Sequence, residues 1–459
     1  MFTASGQLRS LIHPSVRVMS DMNTNETLGT ETSGDSLSIP PGPNGLPLIG
    51  NTISFLHGGL DFADRLTEHG DVVRYTALGE TFVVVSDPQL IESVLVSRND
   101  EFWKGSFEVE LGRLLAPNGL VFTEGEQWQT HRSLLQPEFT PERLRSHEAS
   151  IRAVVSAAAS EWSAEETIDL RTACSKLTLS ILANTLFTID LTTARGAVVR
   201  EAASAIAART DISRLTYIWP EWAPRTPTQR RFDRAMADLD ELIEELICER
   251  RQTDTGDDLL GVLLSADAMD EDTVRDQLVT FLFAGHETTA LALTYALWLL
   301  SGHPAVSERV RAERKTAPET VIKETLRLYP PTYLIYRETQ HDVALGGYRI
   351  SRGTTLQLPA YTVHRDPRWW NEPDAFVPDR WNETTDRPEY AYFPFGGGPR
   401  HCIGIRFAMT ELNIALTELL QRLEFERITE SLTPSPNALL EPGQVMMRVH
   451  QRAGDSRPT

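Results

Sequence analysis

Ten residues near the C-terminus carry the densest chemistry of the chain: Phe395-Gly396-Gly397-Gly398-Pro399-Arg400-His401-Cys402-Ile403-Gly404. One cysteine sits in a glycine-rich loop, and an amphipathic pattern follows it. Glycines let a backbone turn sharply and approach a flat object closely. A helix N-terminus at Cys402 would favour the thiolate through its free N–H groups and macrodipole. With Arg400 two residues earlier, such a thiolate suits the axial ligand of a heme iron, where it pushes electron density onto the metal and favours O–O cleavage. The alternative is a free buried cysteine, the usual fate of a lone Cys. That alternative leaves Phe395, Gly398, Arg400 and Gly404 unexplained.

Three further groupings have spacing that could serve chemistry. Ala284-Gly285-His286-Glu287-Thr288 lies in the middle of an apolar stretch. A carboxylate and a hydroxyl there are expensive to bury, and glycine with a back-bonding threonine predicts a local kink. The alternative is a pair of threonines satisfying backbone in a core helix. Glu324 and Arg327 stand three apart, on one helix face, and Arg380 follows in Phe376-Val377-Pro378-Asp379-Arg380-Trp381. Ordinarily such pairs are solvated and worth little. Trp128 and Arg132 put two donors on one helix face, suited to a carboxylate. A core tryptophan beside a surface arginine would look the same.

Taken in order along the chain, these segments resemble the cytochromes P-450, from about Pro40 to the C-terminus. The resemblance implies heme b as cofactor, with Cys402 as the iron ligand. It implies that Trp128, Arg132, Arg337 and Arg400 meet the propionates. Phe395, Gly398 and Gly404 then shape the loop around the cysteine. Thr288 would hydrogen-bond dioxygen, and Glu287 would relay protons from solvent. Glu324, Arg327 and Arg380 would form a buried structural triad that braces the heme loop. The implied reaction is insertion of one oxygen atom from O2 into an apolar substrate, such as a fatty acid, terpenoid or carotenoid. No flavin or iron–sulfur segment is recognisable, so electrons are expected from a separate ferredoxin or flavodoxin with its reductase. A heme-thiolate peroxygenase or hydroperoxide isomerase is one rival reading, and such enzymes commonly lack the acid–threonine pair. A non-catalytic heme sensor is another. The apolar stretches Phe107–Leu115, Thr332–Ile335 and Leu439–Leu440 point instead to a substrate cavity.

The elements that must position these residues read as mainly helical. Helix is expected over Asp61–His69 and Gln89–Val96, and from Gly125 to about Leu328, with Leu278–Leu300 as one buried core helix. Pro220, Pro224 and Pro227 punctuate a loop in that region. Strands are expected at Val72–Leu78 and Thr81–Ser86 with a Gly79-Glu80 turn, then at Tyr348–Ile350, Thr355–Leu358 and Val445–His450. Glu101–Leu120 reads as an irregular connection. The Phe407–Leu420 face is expected to lie under the heme. The fold class is thus mainly α with small β-sheets (α+β), the cytochrome P-450 fold, as a single large domain. It spans 39–459, behind a polar extension at 1–38 that is expected to be disordered.

Composition bounds the rest. The 459 residues carry a net charge of −20, and no basic stripe suits nucleic acid. Three cysteines without CxxC spacing argue against disulfides or a zinc site, and for a reducing compartment. No apolar run suits a signal peptide or membrane anchor, so a cytoplasmic monomer is expected, with translation starting at Met1 or Met19. Of the 44 basic residues only Lys104, Lys176, Lys315 and Lys323 are lysine. A carboxylate-rich, lysine-poor surface suits a halophilic prokaryote, because salt screens self-repulsion. A GC-rich genome is the alternative.

Overall fold

The first elements show how short-range chemistry becomes structure. Helix α1 (Thr52–Thr67) is broken at Gly59 (φ 52°), so the helix expected from Asp61 is its second half, with Phe62 and Leu66 buried, and a first half precedes it. Strands β1 (Val72–Ala77) and β2 (Glu80–Val85) form the expected hairpin. Its two-residue turn has positive φ at both Leu78 (55°) and Gly79 (83°), the geometry that follows the twist of the strands. This is a computed structural model, and it describes residues 37–210, 224–252, 258–266 and 269–452, apart from the side chains of Ser106 and Phe107. Most of the expected extension at 1–38 lies outside the described residues. The Ser38 carbonyl already accepts the Arg349 N–H, at 2.9 Å.

Helix α2 (Pro88–Glu92) is capped by the Asp87 carboxylate and runs directly into a π-helical turn at Ser93–Ser97. The stretch read as irregular holds strand β3 (Phe102–Trp103) and helix α3 (Ser106–Leu115). The signal overlooked there is Glu108. As the third residue of α3 it accepts the Gly105 N–H at 3.1 Å and closes the first turn.

The helical body follows: α4 (Gly125–Leu135) and α5 (Pro141–Ser163), the short strand β4 (Thr167–Asp169), then α6 (Leu170–Leu186) and α7 (Ala194–Thr210). Pro227 opens α8 (Pro227–Gln252), where its fixed φ suits a first turn; Pro220 lies outside the described residues. Next come α9 (Leu259–Ser265), α10 (Glu271–Gly285), α11 (Glu287–Ser301), α12 (Pro304–Ala312) and α13 (Thr316–Leu328). The single helix expected over Leu278–Leu300 is therefore two, broken at His286. Every residue from Thr289 to Leu300 is buried, so α11 is surrounded by protein and has no polar face. Among the described residues no helix is long and apolar enough to cross a membrane.

Four strands then alternate with short turns: β5 (Ile335–Thr339), β6 (Val343–Leu345), β7 (Tyr348–Ile350) and β8 (Thr355–Leu358). They are followed by α14 (Ala360–Val363), the long loop to α15 (Ile405–Arg422), and β9 (Leu423–Arg427), β10 (Ser435–Pro436), β11 (Leu440–Glu441) and β12 (Met446–Gln451). The largest sheet has the order β1-β2-β8-β5-β3, with β2 and β8 parallel. A second sheet has the order β4-β12-β9. One large apolar core joins the helical body to α15, and two smaller ones lie against the five-stranded sheet. The architecture is the expected one, mainly α with small sheets.

Candidate active site

A cavity of ≈ 360 Å³ opens where the α10–α11 break, the β5 segment and the loop before α15 converge. The break is satisfied by side chains. Thr288 Oγ1 donates to the Ala284 carbonyl (3.0 Å) and Thr289 Oγ1 to the Gly285 carbonyl (3.3 Å). The His286 ring nitrogen Nδ1 meets the Leu282 carbonyl at 2.7 Å, and Thr178 Oγ1 donates to the His286 carbonyl at 3.0 Å. These bonds replace the lost helical ladder, which is how a kink persists in a core. Gly285, Thr288 and Thr289 line the cavity.

Glu287 does not line it. Its carboxylate turns toward α6, where Arg171 lies at 3.0 Å, Ser175 Oγ donates at 2.7 Å and His286 Nε2 lies at 3.3 Å. Burial alone would raise its pKa, but His286, Arg171 and Ser175 outweigh it and hold the carboxyl at about 2. Arg171 continues to Glu441 at 3.9 Å, nearer the surface. Glu287 is therefore a resident anion. At neutral pH it holds no proton of its own.

Cys402 lines the cavity, with its N–H donating to the Phe395 carbonyl at 3.0 Å. By surface area it counts as exposed, because its sulfur faces the cavity, yet the site is deep in the protein. Two residues separate it from the start of α15. Burial pushes its thiol up, against the Gly404 N–H and the Arg132 guanidinium, which pull it down. The helix end acts on the thiol through the Gly404 N–H, two residues on, and coordination to a metal is what would complete its deprotonation. Gly398 has φ of 61°, and a Cβ there would stand 1.8 Å from the Leu95 carbonyl oxygen, so only glycine fits. Cys174 is fully buried and pushed up to about 12 by burial, and Cys248 is exposed on α8; neither lines the cavity.

The polar end of the cavity gathers Lys104, Glu108, Trp128, Arg132, Arg337 and Arg400. Arg132 donates to the His401 carbonyl (2.9 Å) and to Gln136 Oε1 (2.9 Å), and its Nη2 lies 3.1 Å from His401 Nε2. Arg337 donates to the Tyr336 carbonyl at 2.7 Å. Arg400 is bound to Glu124 and to the Thr123 carbonyl, and its guanidinium lies 4.5 Å from the Trp128 ring centre. Burial pushes all three guanidiniums below their ordinary values, and it pushes the Lys104 amine down to about 8. Desolvated cations facing a cavity call for anions. A thiol on one wall, apolar side chains such as Phe407, Ala408 and Leu412, and a cationic end together fit an iron porphyrin with two carboxylates.

Glu324, Arg327 and Arg380 come together as expected, in a tighter network than a triad. Glu324 accepts from Arg327 Nε (3.0 Å) and Nη2 (2.9 Å), from Arg380 Nε (3.0 Å), from the Val377 N–H (3.0 Å) and from Trp381 Nε1 (2.9 Å). Arg327 also donates to the carbonyls of His364 (2.9 Å), Pro373 (2.6 Å) and Ala375 (2.9 Å). His364 Nε2 in turn accepts the Phe393 N–H at 2.9 Å, at the entrance to the cysteine loop. This is the physical connection between the network and the loop.

Sequence reasoning missed Lys104, Glu108, Glu124, Arg171, Trp381 and His364. Lys104 had one signal, as one of four lysines in the chain. Of the expected apolar linings, Thr332, Leu334 and Ile335 face the cavity, whereas Leu440 ties Pro331 and Tyr295 together by backbone bonds and stays in the core. From Phe107–Leu115 only Glu108 lines it; Leu111 and Leu115 are core, and the Phe107 side chain lies outside the described residues. Beyond Leu412, the α15 face expected under the heme packs into the core.

The Cytochrome P450 family model matches residues 40–449. Cyclooctatin synthase of Streptomyces melanosporofaciens is 31% identical over 88% of this chain and 94% of that protein. Pentalenene oxygenase of Streptomyces avermitilis is 30% identical over 89% of this chain and 95% of that protein. Among solved structures, retinoic acid-bound cyanobacterial CYP120A1 superposes with a TM-score of 0.80 at 26% identity, covering 91% of this chain and all of that one.

Proposed function

The chain belongs to the cytochrome P450 family and is a monooxygenase, and from that premise we propose that Cys402 ligates the iron of heme b and that the substrate is a terpenoid or similarly apolar molecule. The observation that carries this reading is one cavity lined by Cys402, Thr288 and a cluster of desolvated cations. When bound, the heme supplies dioxygen activation, with thiolate ligation favouring O–O cleavage. Arg132, Arg337, Arg400 and Lys104 hold its carboxylates. Thr288 presents a hydroxyl beside the helix break and steers proton delivery there. Glu287 relays protons from solvent, and Arg171 holds its carboxylate in place without carrying a proton itself. A further relative, 32% identical over 83% of this chain, is named cyclooctat-9-en-7-ol 5-monooxygenase, and with the pentalenene oxygenase it favours a terpenoid over other apolar classes. Electrons come from a separate ferredoxin or flavodoxin with its reductase, and the protein works as a cytoplasmic monomer.

The test is spectroscopic, then catalytic. The reduced, CO-bound protein should show the red-shifted Soret band of thiolate ligation. Cys402→Ala should abolish that band, while Cys174→Ala and Cys248→Ala should keep it. An unchanged band in Cys402→Ala sinks the ligand assignment. Turnover with a reconstituted ferredoxin system separates a monooxygenase from a peroxygenase or a heme sensor. Thr288→Ala should still bind heme and substrate but divert reducing equivalents to peroxide. Unchanged coupling of electrons to product would remove Thr288 from the proton path.

A further inference from the structure

We propose that this cavity selects uncharged substrates, an apolar skeleton bearing at most a neutral oxygen function, and excludes carboxylates. The inference rests on the heme-thiolate reading above and narrows its substrate class.

The argument is a charge balance. The polar end of the cavity holds four cations, Lys104, Arg132, Arg337 and Arg400, and two carboxyl groups, Glu108 and Glu124. Glu124 is bound to Arg400, and its other oxygen accepts the backbone N–H of Lys104 at 2.8 Å. Glu108 is the carboxylate that acts most strongly on both Lys104 and Arg337. The two carboxylates of a heme bring the negative charges to four against four. A ferric iron, the porphyrin dianion and a thiolate cancel among themselves. A proton moved from Lys104 to Glu108 leaves the sum unchanged, so the balance does not depend on where that proton sits.

No cation then remains for a third carboxylate. Among the described lining residues outside this cluster, no side chain carries a fixed charge. The walls there are apolar, as at Leu182, Phe281 and Leu334, with threonine hydroxyls between them. A carboxylate placed against such walls loses its hydration and finds no counterion, which is strongly unfavourable. A hydroxyl or carbonyl oxygen has somewhere to go. Thr280 lines the cavity, and its own hydroxyl has no partner within the protein. That hydroxyl is buried beside Gly119 in this structure, and a turn about χ1 is what would bring it to a ligand oxygen. In a reaction sequence, the enzyme's place is therefore on a hydrocarbon or alcohol, before any step that makes an acid.

The experiment is a calorimetric titration of the heme-loaded protein near pH 7.5 with chain-matched C15 and C20 isoprenoid pairs, each an alcohol and the carboxylate of the same skeleton. The alcohol should bind at least about tenfold more tightly. Glu108→Gln keeps the hydrogen bond to the Gly105 N–H but removes one negative charge. It should raise carboxylate affinity roughly tenfold and leave the alcohol unchanged. A carboxylate that binds the unaltered protein as tightly as its alcohol overturns the inference. So does a Glu108→Gln protein with the same alcohol-to-carboxylate ratio. Heme content and the CO-bound spectrum are recorded on the same samples. A chain that takes up no heme, or shows no thiolate band, overturns the underlying reading instead.

Discussion

Around Glu324 two guanidiniums are met by one carboxylate and five backbone carbonyls, whereas at the polar end of the cavity four cations face two carboxylates with fewer protein acceptors. Both clusters are buried, and both are built from arginine and glutamate. Glu324 and Arg327 have no exposed surface, and five donors converge on the one carboxylate. Such a closed cluster has no valence left for a ligand, and it fixes the segments that supply it, namely α13, Val377–Trp381 and, through His364, the start of the cysteine loop. The open cluster has the reverse character. Arg337 is buried with a backbone carbonyl as its hydrogen-bonded partner, and it shares Glu108 with Lys104. Closure therefore marks scaffold and incompleteness marks a binding site, even where residue types and burial are the same.

The largest effect should come from breaking the closed cluster. Glu324→Ala leaves Arg327 and Arg380 without their carboxylate, and unfolding free energy should fall by about 3–5 kcal/mol. Urea unfolding followed by circular dichroism measures it. An unchanged midpoint would mean that the cluster braces nothing. Arg337→Leu should do the opposite kind of damage. Apoprotein stability should hold or rise, because a desolvated cation is gone, while heme loss to an acceptor protein should accelerate roughly tenfold. If apoprotein stability collapses instead, the open cluster is scaffold after all.

Glu287 stands between the two types, paired with Arg171 but connected toward the surface. Its folded value is about 2 against an ordinary 4.5. A depressed carboxylate stabilises the fold above its unfolded value, and that contribution fades as pH falls from about 4.5 to about 2. Wild type should therefore exceed Glu287→Gln by something of order 1–3 kcal/mol at pH 7, with the two curves converging toward pH 2. Parallel curves across that window would show that the Arg171 pairing does not perturb the carboxyl. The smallest effect concerns the surface. With a net charge of −20, molar potassium chloride should raise the melting temperature by a few degrees through screening. Exposed pairs such as Arg231–Glu201 would lose little, since they contribute little. Equal melting temperatures at low and high salt would leave codon bias as the source of the lysine-poor composition, and the halophile proposal would fall.

Much of this was legible in the chain because the relevant spacings are short. The Gly79 turn, the break at Gly285–Thr288 and the Glu324–Arg327 pair each depend on residues within one helical turn or one hairpin. Over Leu278–Leu300 the kink was legible at Gly285 and Thr288, but local residues alone did not show that it divides the stretch into two helices at His286. α3 was missed because its period is irregular and its clearest mark is the single cap made by Glu108.

The sequence by itself determined the loop around Cys402, the helical class and the order of the segments, since backbone conformation at Gly398 and periodicity in α15 are local properties. Only the tertiary structure decided what faces the cavity. Lys104 and Glu108 meet Arg337 and Arg400 across more than two hundred residues of chain, and Glu287 turns from the cavity toward Arg171 because α6 lies alongside α11. Charge balance and side-chain direction depend on which elements pack together, and no spacing along the chain encodes that distance.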